Sequence, residues 1–149
     1  MTTSRAIMSI PNSPWPPPSE RHRRQPFPIE TNGTVADILV DTDVFVDHLR
    51  GAHQLSPKRH RLHYSVVTRA ELFAGNTATD LVTTLLAPFR EIPVDRVIAE
   101  RAGRIRRDTD IRLPDALVAA TAIEGRMGLA TRNQGDFRRV PRLRLRTLP

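Results

Sequence analysis

The 149-residue sequence contains no cysteine, which excludes a disulfide framework, a thiolate metal site and catalysis by a cysteine nucleophile. It has no uninterrupted apolar run near the roughly 20 residues that a membrane-spanning helix needs, and its N-terminus lacks the apolar core of a secretory signal. A soluble, cytoplasmic protein without a membrane partner is the expectation. Lysine is almost missing too: among 23 lysines and arginines, Lys58 is the only lysine. What stands in its place is arginine, at a formal net charge of +7. The planar guanidinium fork suits phosphate oxygens, so this composition leans towards nucleic acid or another polyanion. Coding bias and solubility account for the same composition equally well. The length suffices for one domain with a sizeable core and is short for two ordinary ones.

Residues 1–36 carry seven of the thirteen prolines, including Pro16-Pro17-Pro18, together with the basic cluster Arg21-His22-Arg23-Arg24. No helix or strand period is sustained there, and the segment reads as a disordered, proline-rich and basic extension. The folded domain is expected over residues 37–149. Ile38-Leu39-Val40 forms a short apolar run that reads as a buried strand, and Val44, Phe45, Val46 and Leu49 follow with helical spacing, with Thr42 or Asp43 as the N-cap. A basic loop, Lys58 to Arg61, separates this helix from a second strand over Leu62–Val67 and a helix over Thr68–Ala74. Further helices are predicted over Asp80–Phe89, Asp95–Arg107 and from Pro114 to Gly125, with short strands at Ile92–Val94 and Gly128–Thr131. Leu143 and Leu145 alternate with Arg142, Arg144 and Arg146, as in a last strand with one buried and one arginine face. Strands alternating with helices predict an α/β domain with a mainly parallel sheet.

In parallel α/β sheets ligands gather at the carboxyl ends of strands, and Asp41 stands at such an end. Glu71 and Asp115 occupy comparable positions, each predicted in the first turn of a helix that follows a strand or a Leu-Pro start. Converging carboxylates repel one another and are stable mainly with a cation among them. Oxygen-only ligands suit magnesium or manganese, and the matching chemistry is phosphodiester hydrolysis, in which such a cation polarises the phosphate and lowers the pKa of water. Simpler roles exist for each acid: Glu71 lies three residues after Thr68, the spacing of a capping box; Asp115 beside Pro114 suits a helix dipole; Asp41 or Asp43 suits an N-cap.

Four stretches carry a family resemblance over nearly all of residues 37–149. Ile38-Leu39-Val40-Asp41-Thr42-Asp43, Ser65-Val66-Val67-Thr68-Arg69-Ala70-Glu71-Leu72, Leu113-Pro114-Asp115-Ala116-Leu117-Val118-Ala119-Ala120-Thr121-Ala122, and Leu129-Ala130-Thr131-Arg132-Asn133 followed by Asp136-Phe137 together resemble the motifs of VapC-type PIN-domain ribonucleases, toxins of bacterial toxin-antitoxin systems. The resemblance implies a three-layer α/β/α fold and a Mg2+- or Mn2+-dependent endoribonuclease, dimeric and neutralised by a cognate antitoxin. It implies that Asp41, Glu71 and Asp115 hold the metal, with Asn133 or Asp136 completing the shell; the fourth motif often carries an acid where this chain has Asn133. Thr42, Ser65 and Thr131 would orient waters or carboxylates from behind, while Arg132, Arg138 and Arg144 would steady the RNA backbone. Val44, Phe45, Leu72 and Phe73 would contribute to an apolar groove for an antitoxin segment, or pack in the core.

Other readings are weaker. Asp41-Thr42-Asp43 also resembles the opening motif of haloacid-dehalogenase-like phosphatases, but those need a downstream lysine and only Lys58 is available. His60 and His63 lie three apart without a glutamate-flanked pair, so the histidines read as solvated rather than as ligands. Ser65 has no histidine and acid pattern for a hydrolase triad. A non-catalytic RNA-binding module of the same fold, using the arginines from Arg101 to Arg107 and Arg138 to Arg146, is the alternative of a different class.

Overall fold

The computed structural model describes residues 35–55 and 60–148. The predicted extension therefore lies outside the described residues up to position 34, as do Lys58 and Arg59 of the basic loop. Ala36, at the edge of that extension, is already buried in the core.

Five parallel strands form one sheet in the order β3-β2-β1-β4-β5, where β1 is Asp37–Val40, β2 Arg61–Ser65, β3 Arg90–Ile92, β4 Gly128–Ala130 and β5 Leu145–Arg146. The helices are α1 (Thr42–Leu49), α2 (Val66–Ala74), α3 (Thr79–Leu86), α4 (Arg96–Thr109), α5 (Leu113–Glu124) and the short α6 (Gln134–Phe137). The chain steps from β1 to β2 to β3 in one direction, then crosses back over the sheet to β4 and β5. Right-handed crossovers place helices on one face for the first direction and on the other face for the second. The packing follows this rule. Ile38, Val40, Leu62 and Tyr64 join Phe45, Leu72, Val82 and Leu86 of α1, α2 and α3 in one core. Leu39 and Leu129 join Ile98, Ala102 and Ile105 of α4, the small residues Ala116 to Ala122 of α5, and Phe137 in the other. Covered on both faces, β1 is buried at every position, which is why it reads as a continuous apolar run and not as an alternation. The three-layer α/β/α arrangement and the parallel sheet agree with the sequence reading.

Local corrections have identifiable causes. The second helix starts at Val66, two residues before the predicted start, because Ser65 ends β2 and caps α2 by accepting from Val67 N–H at 3.2 Å. Glu71 therefore lies in the second turn, not the first, and a Thr68-Glu71 capping box does not form. The first helix is capped by Asp41 and not by Thr42 or Asp43: Asp41 is extended and its Oδ1 accepts from Thr42 N–H at 2.8 Å. β3 sits two residues earlier than expected and pairs Tyr64 with Glu91. Asp95 caps α4 by accepting from Ile98 N–H at 2.9 Å. Two of the histidines are not solvated: His63 is buried and bonded to Asp37, and His60 Nδ1 accepts from Ala36 N–H at 3.2 Å, whereas His53 is exposed as expected.

α1 has only eight residues, and so short a helix is marginal by itself. Phe45 anchors it, fully buried edge-on against Tyr64 and Phe89 at ring-centroid distances of 6.2 and 5.7 Å. Gly51, at φ +71°, takes the left-handed turn that releases the chain from α1. Burial of Phe45 and Leu72 assigns both to the core and removes them from the apolar partner groove expected above; Phe73 is 40% exposed, under the Arg69 guanidinium.

Candidate active site

The reversal of strand order puts the topological switch point at β1, between its neighbours β2 and β4, and the carboxyl end of β1 is where such sheets open a crevice. Asp41 occupies that end. Its N–H donates to Ala130 O at 2.9 Å, which fixes the strand end against β4. Its carboxylate accepts from Thr42 N–H and, on Oδ2, from the Thr131 hydroxyl at 2.9 Å. Both bonds favour the charged form, yet burial, the neighbouring charge of Asp43 and, more weakly, that of Asp115 win, and the Asp41 carboxyl is pushed up to about 7. Asp41 and Asp115 therefore feel each other across the site although they come from elements far apart in sequence.

Asp43 belongs to the same cluster. The loop after β4 wraps its Oδ2, with Arg132 N–H at 2.9 Å, Asn133 N–H at 3.1 Å and the Thr131 hydroxyl at 3.3 Å. Its Oδ1 is buried with no hydrogen-bond partner among the described residues. From sequence Asp43 is one of three cap candidates, beside Asp41 and Thr42. The missed signal is that a second aspartate, two residues from the strand end, has no cap to make once Asp41 has made it.

Glu71 reaches the site from the second turn of α2 and accepts from the Thr42 hydroxyl. Asp115 enters from the first turn of α5, buried, with both oxygens facing Arg112: Nε to Oδ2 at 3.0 Å and Nη2 to Oδ1 at 3.4 Å. The charges of Glu71 and Asp136 also act on Arg112, after that of Asp115. Asn133 and Asp136 are bonded to each other, Nδ2 to Oδ2 at 2.9 Å.

The supporting residues divide. Thr42 and Thr131 both contact carboxylates of the cluster, Thr42 bonding Glu71 and Thr131 bonding Asp41. For Ser65 the bond found is the α2 cap, its oxygen accepting from Val67 N–H within a fully buried residue. Arg132 pairs with Asp47 beside the site, and Arg138 bonds Gln134 on the surface. Arg144 lies at the amino end of the sheet, where Nη2 donates to Arg126 O at 2.7 Å, far from the carboxylates. Its register explains this, because Arg146 and not Arg144 is level with Ala130 at the carboxyl end. A groove of about 510 Å3 adjoins the Thr131–Arg132 loop, lined by Val44, Asp47, His53, Leu55 and Arg146 among others; the carboxylates of Asp41, Glu71 and Asp115 are outside it.

The donor set is all oxygen, which fits a hard cation such as magnesium or manganese. The orphaned Oδ1 of Asp43 and the unfavourable charge on Asp41 mark a place where positive charge is wanted. Among the described residues, no three His, Asp or Glu side chains stand as a closed group around one point; Asp115 is drawn to Arg112 and Glu71 to Thr42.

This fold, with acidic side chains approaching the switch point from the end of β1, from α2 and from α5, defines a class, and the chain belongs to the PIN domain family, which matches residues 38–143. Within that class it is similar to Ribonuclease VapC10 of Mycobacterium tuberculosis, 42% identical in an alignment of 113 positions that covers 67% of this chain and 85% of that protein. Among solved structures it is similar to a toxin-antitoxin complex from Klebsiella pneumoniae, at a TM-score of 0.58 and 29% identity over 70% of this chain and 92% of that one. The VapBC2 complex from Rickettsia felis bound to a promoter DNA fragment shares the fold, at a TM-score of 0.65 and 20% identity over 76% of this chain and 99% of that one.

Proposed function

We propose that this chain is a Mg2+- or Mn2+-dependent endoribonuclease and the toxin of a toxin-antitoxin pair, acting in the cytoplasm. The observation that carries the reading is Asp41: a buried carboxylate at the switch point, pushed up to about 7 by burial and by the charges of Asp43 and Asp115. Asp41 also caps α1, which accounts for one of its oxygens; its burial beside two further acids is the setting in which a cation site raises a carboxyl. Membership of the PIN family and the similarity to a ribonuclease and to toxin-antitoxin complexes support the same reading. No helix among the described residues is long and apolar enough to cross a membrane.

Asp41, Asp115 and Glu71 would hold the metal, with Asp43 and Asp136 near it. A divalent cation there supplies charge to the scissile phosphate and lowers the pKa of water, so no protein nucleophile is needed. The chain's own residues do the rest. Thr131 holds Asp41 and Thr42 holds Glu71, fixing which carboxylate lone pairs face the site. The N–H groups of Arg132 and Asn133 hold Asp43 in place. Arg132 stands on the rim, where its guanidinium would grip RNA phosphates without reading sequence. An antitoxin would cover this rim, and a homodimer is the expected assembly.

The test is cleavage of total cellular RNA by the antitoxin-free protein in magnesium, manganese or chelator, beside the Asp41→Ala and Asp115→Ala variants. Cleavage that needs metal and both aspartates is expected. Metal-independent cleavage, or binding of RNA without cleavage, overturns the proposal, and the second outcome favours the binding-module reading.

A further inference from the structure

Arg112 stands where the start of a helix calls for a short polar acceptor. It is the residue immediately before α5, extended, with no side-chain cap bond. Ser, Thr, Asp and Asn dominate at such positions because their oxygens satisfy the first free N–H groups. A guanidinium accepts nothing, and here it sits at the positive end of the helix dipole, where a cation is disfavoured. The side chain is 75% exposed, so water is its default surrounding. It folds back over the first turn instead and sets two donors against the two oxygens of Asp115, at 3.0 and 3.4 Å. Glu71 and Asp136 add their charge to the same guanidinium. An arginine in a poor place for the helix is thus in a good place for the carboxylate cluster.

We propose that Arg112 is a positioning residue that serves as an internal counter-ion: its guanidinium holds Asp115 in the metal-free protein and competes with the divalent cation for the Asp115 oxygens. This rests on the nuclease reading above. The two-pronged contact offers Asp115 a partner at low cost, since Arg112 packs against little and keeps most of its surface in water. A dication on the same carboxylate repels the guanidinium at that distance, so loading requires the side chain to swing outward, which its exposure permits. The cluster is in this way kept from the full mutual repulsion of its acids until a cation arrives.

The test is Mn2+ binding to the antitoxin-free protein without RNA, followed by the electron paramagnetic resonance signal of free Mn2+, for the parent, Arg112→Ala, Arg112→Lys and Asp115→Asn. Competition predicts that Arg112→Ala binds Mn2+ tighter, by about threefold or more given an ion pair with a buried carboxylate and a largely exposed guanidinium. Arg112→Lys is expected between the two, keeping the charge but not the fork, and Asp115→Asn is expected to bind weakly. A merely structural arginine predicts the opposite, because Asp115 would lose its support and bind Mn2+ more weakly. Equal or weaker binding in Arg112→Ala, with circular dichroism unchanged, overturns this inference while leaving the nuclease reading in place. Failure of the parent itself to bind Mn2+ overturns both.

Discussion

Strand β1 carries an aspartate at each end, and the two live in opposite electrostatic worlds. At the amino end, burial raises the Asp37 carboxyl, but hydrogen bonds and charge from Arg61 and His63 outweigh it and hold the group below its ordinary value. Arg61 Nε and Nη2 donate at 2.8 and 2.6 Å, and His63 Nε2 lies 2.7 Å from Oδ1. At the carboxyl end, four residues on, burial and the acids around Asp41 push it up to about 7. The same residue type on the same strand is satisfied at one end and left wanting at the other. The satisfied end is a clamp that sets the register of β1 on β2, with Asp37 opposite Arg61. The wanting end is where the site is proposed. Proteins keep uncompensated charge where function needs it and remove it where only folding is at stake.

The comparison can be broken first through activity. Asp41→Asn is expected to lower metal-dependent RNA cleavage by roughly a thousandfold or more, the scale of losing a central group of a metal site. Asp37→Asn is expected to leave the turnover of the folded fraction within about twofold. The reverse holds for stability: Asp37→Asn leaves the buried His63 and half of the Arg61 fork with a poorer partner, and a loss of about 2 kcal/mol in chemical denaturation is expected after allowing for the exposure of Arg61.

The two ends also differ in pH dependence. Asp41 binds a proton more readily in the folded protein than in the unfolded chain, so the metal-free protein loses stability as pH rises from 3.8 through about 7. Asp37 has the opposite sign, because its folded pKa is depressed: its contribution is present above 3.8 and fades as pH falls below that value. Denaturation of Asp41→Asn and Asp37→Asn across pH 3 to 9 is expected to remove the first trend and the second, respectively.

Smaller effects sharpen the boundary of the site. Thr42→Val removes the donor that orients Glu71, and a fall in cleavage of about tenfold with little loss of stability is expected. At the rim, Arg132→Ala is expected to weaken RNA binding about two- to threefold in filter binding, and Arg144→Ala not measurably, since Arg144 points to the amino end of the sheet.

Much of this was legible in the chain itself. Apolar runs and helix starts located β1, α5 and β4, and the strand-helix alternation carried the parallel sheet, because burial on both faces leaves a plain mark in composition. Asp41, Glu71 and Asp115 were singled out by their places at strand ends and helix starts, together with the four-motif resemblance. What escaped depends on pairing across the fold. The Asp37–His63–Arg61 clamp exists only once β1 and β2 are in register. Ser65 looked like a supporting residue because its side chain could serve a helix cap or a site equally, and only the start of α2 at Val66 decides for the cap. Arg112 does not stand out by composition in so basic a chain, although its position before Leu113-Pro114, where a helix asks for an acceptor, sets it apart.

The most direct test of the account compares Asp41→Asn with the parent in thermal unfolding at pH 8, with and without Mn2+. The amide can keep both contacts, accepting from Thr42 N–H and donating to the Thr131 hydroxyl, which then turns to Asp43 at 3.3 Å. Without metal, Asp41→Asn is expected to melt higher than the parent by roughly 5–10 °C, since it removes a buried charge that its neighbours oppose. With Mn2+ the parent should gain and the variant should not, so that the order narrows or inverts. A variant that is less stable than the parent without metal, with both indifferent to Mn2+, would contradict the claim that the end of β1 is a site built around a missing positive charge.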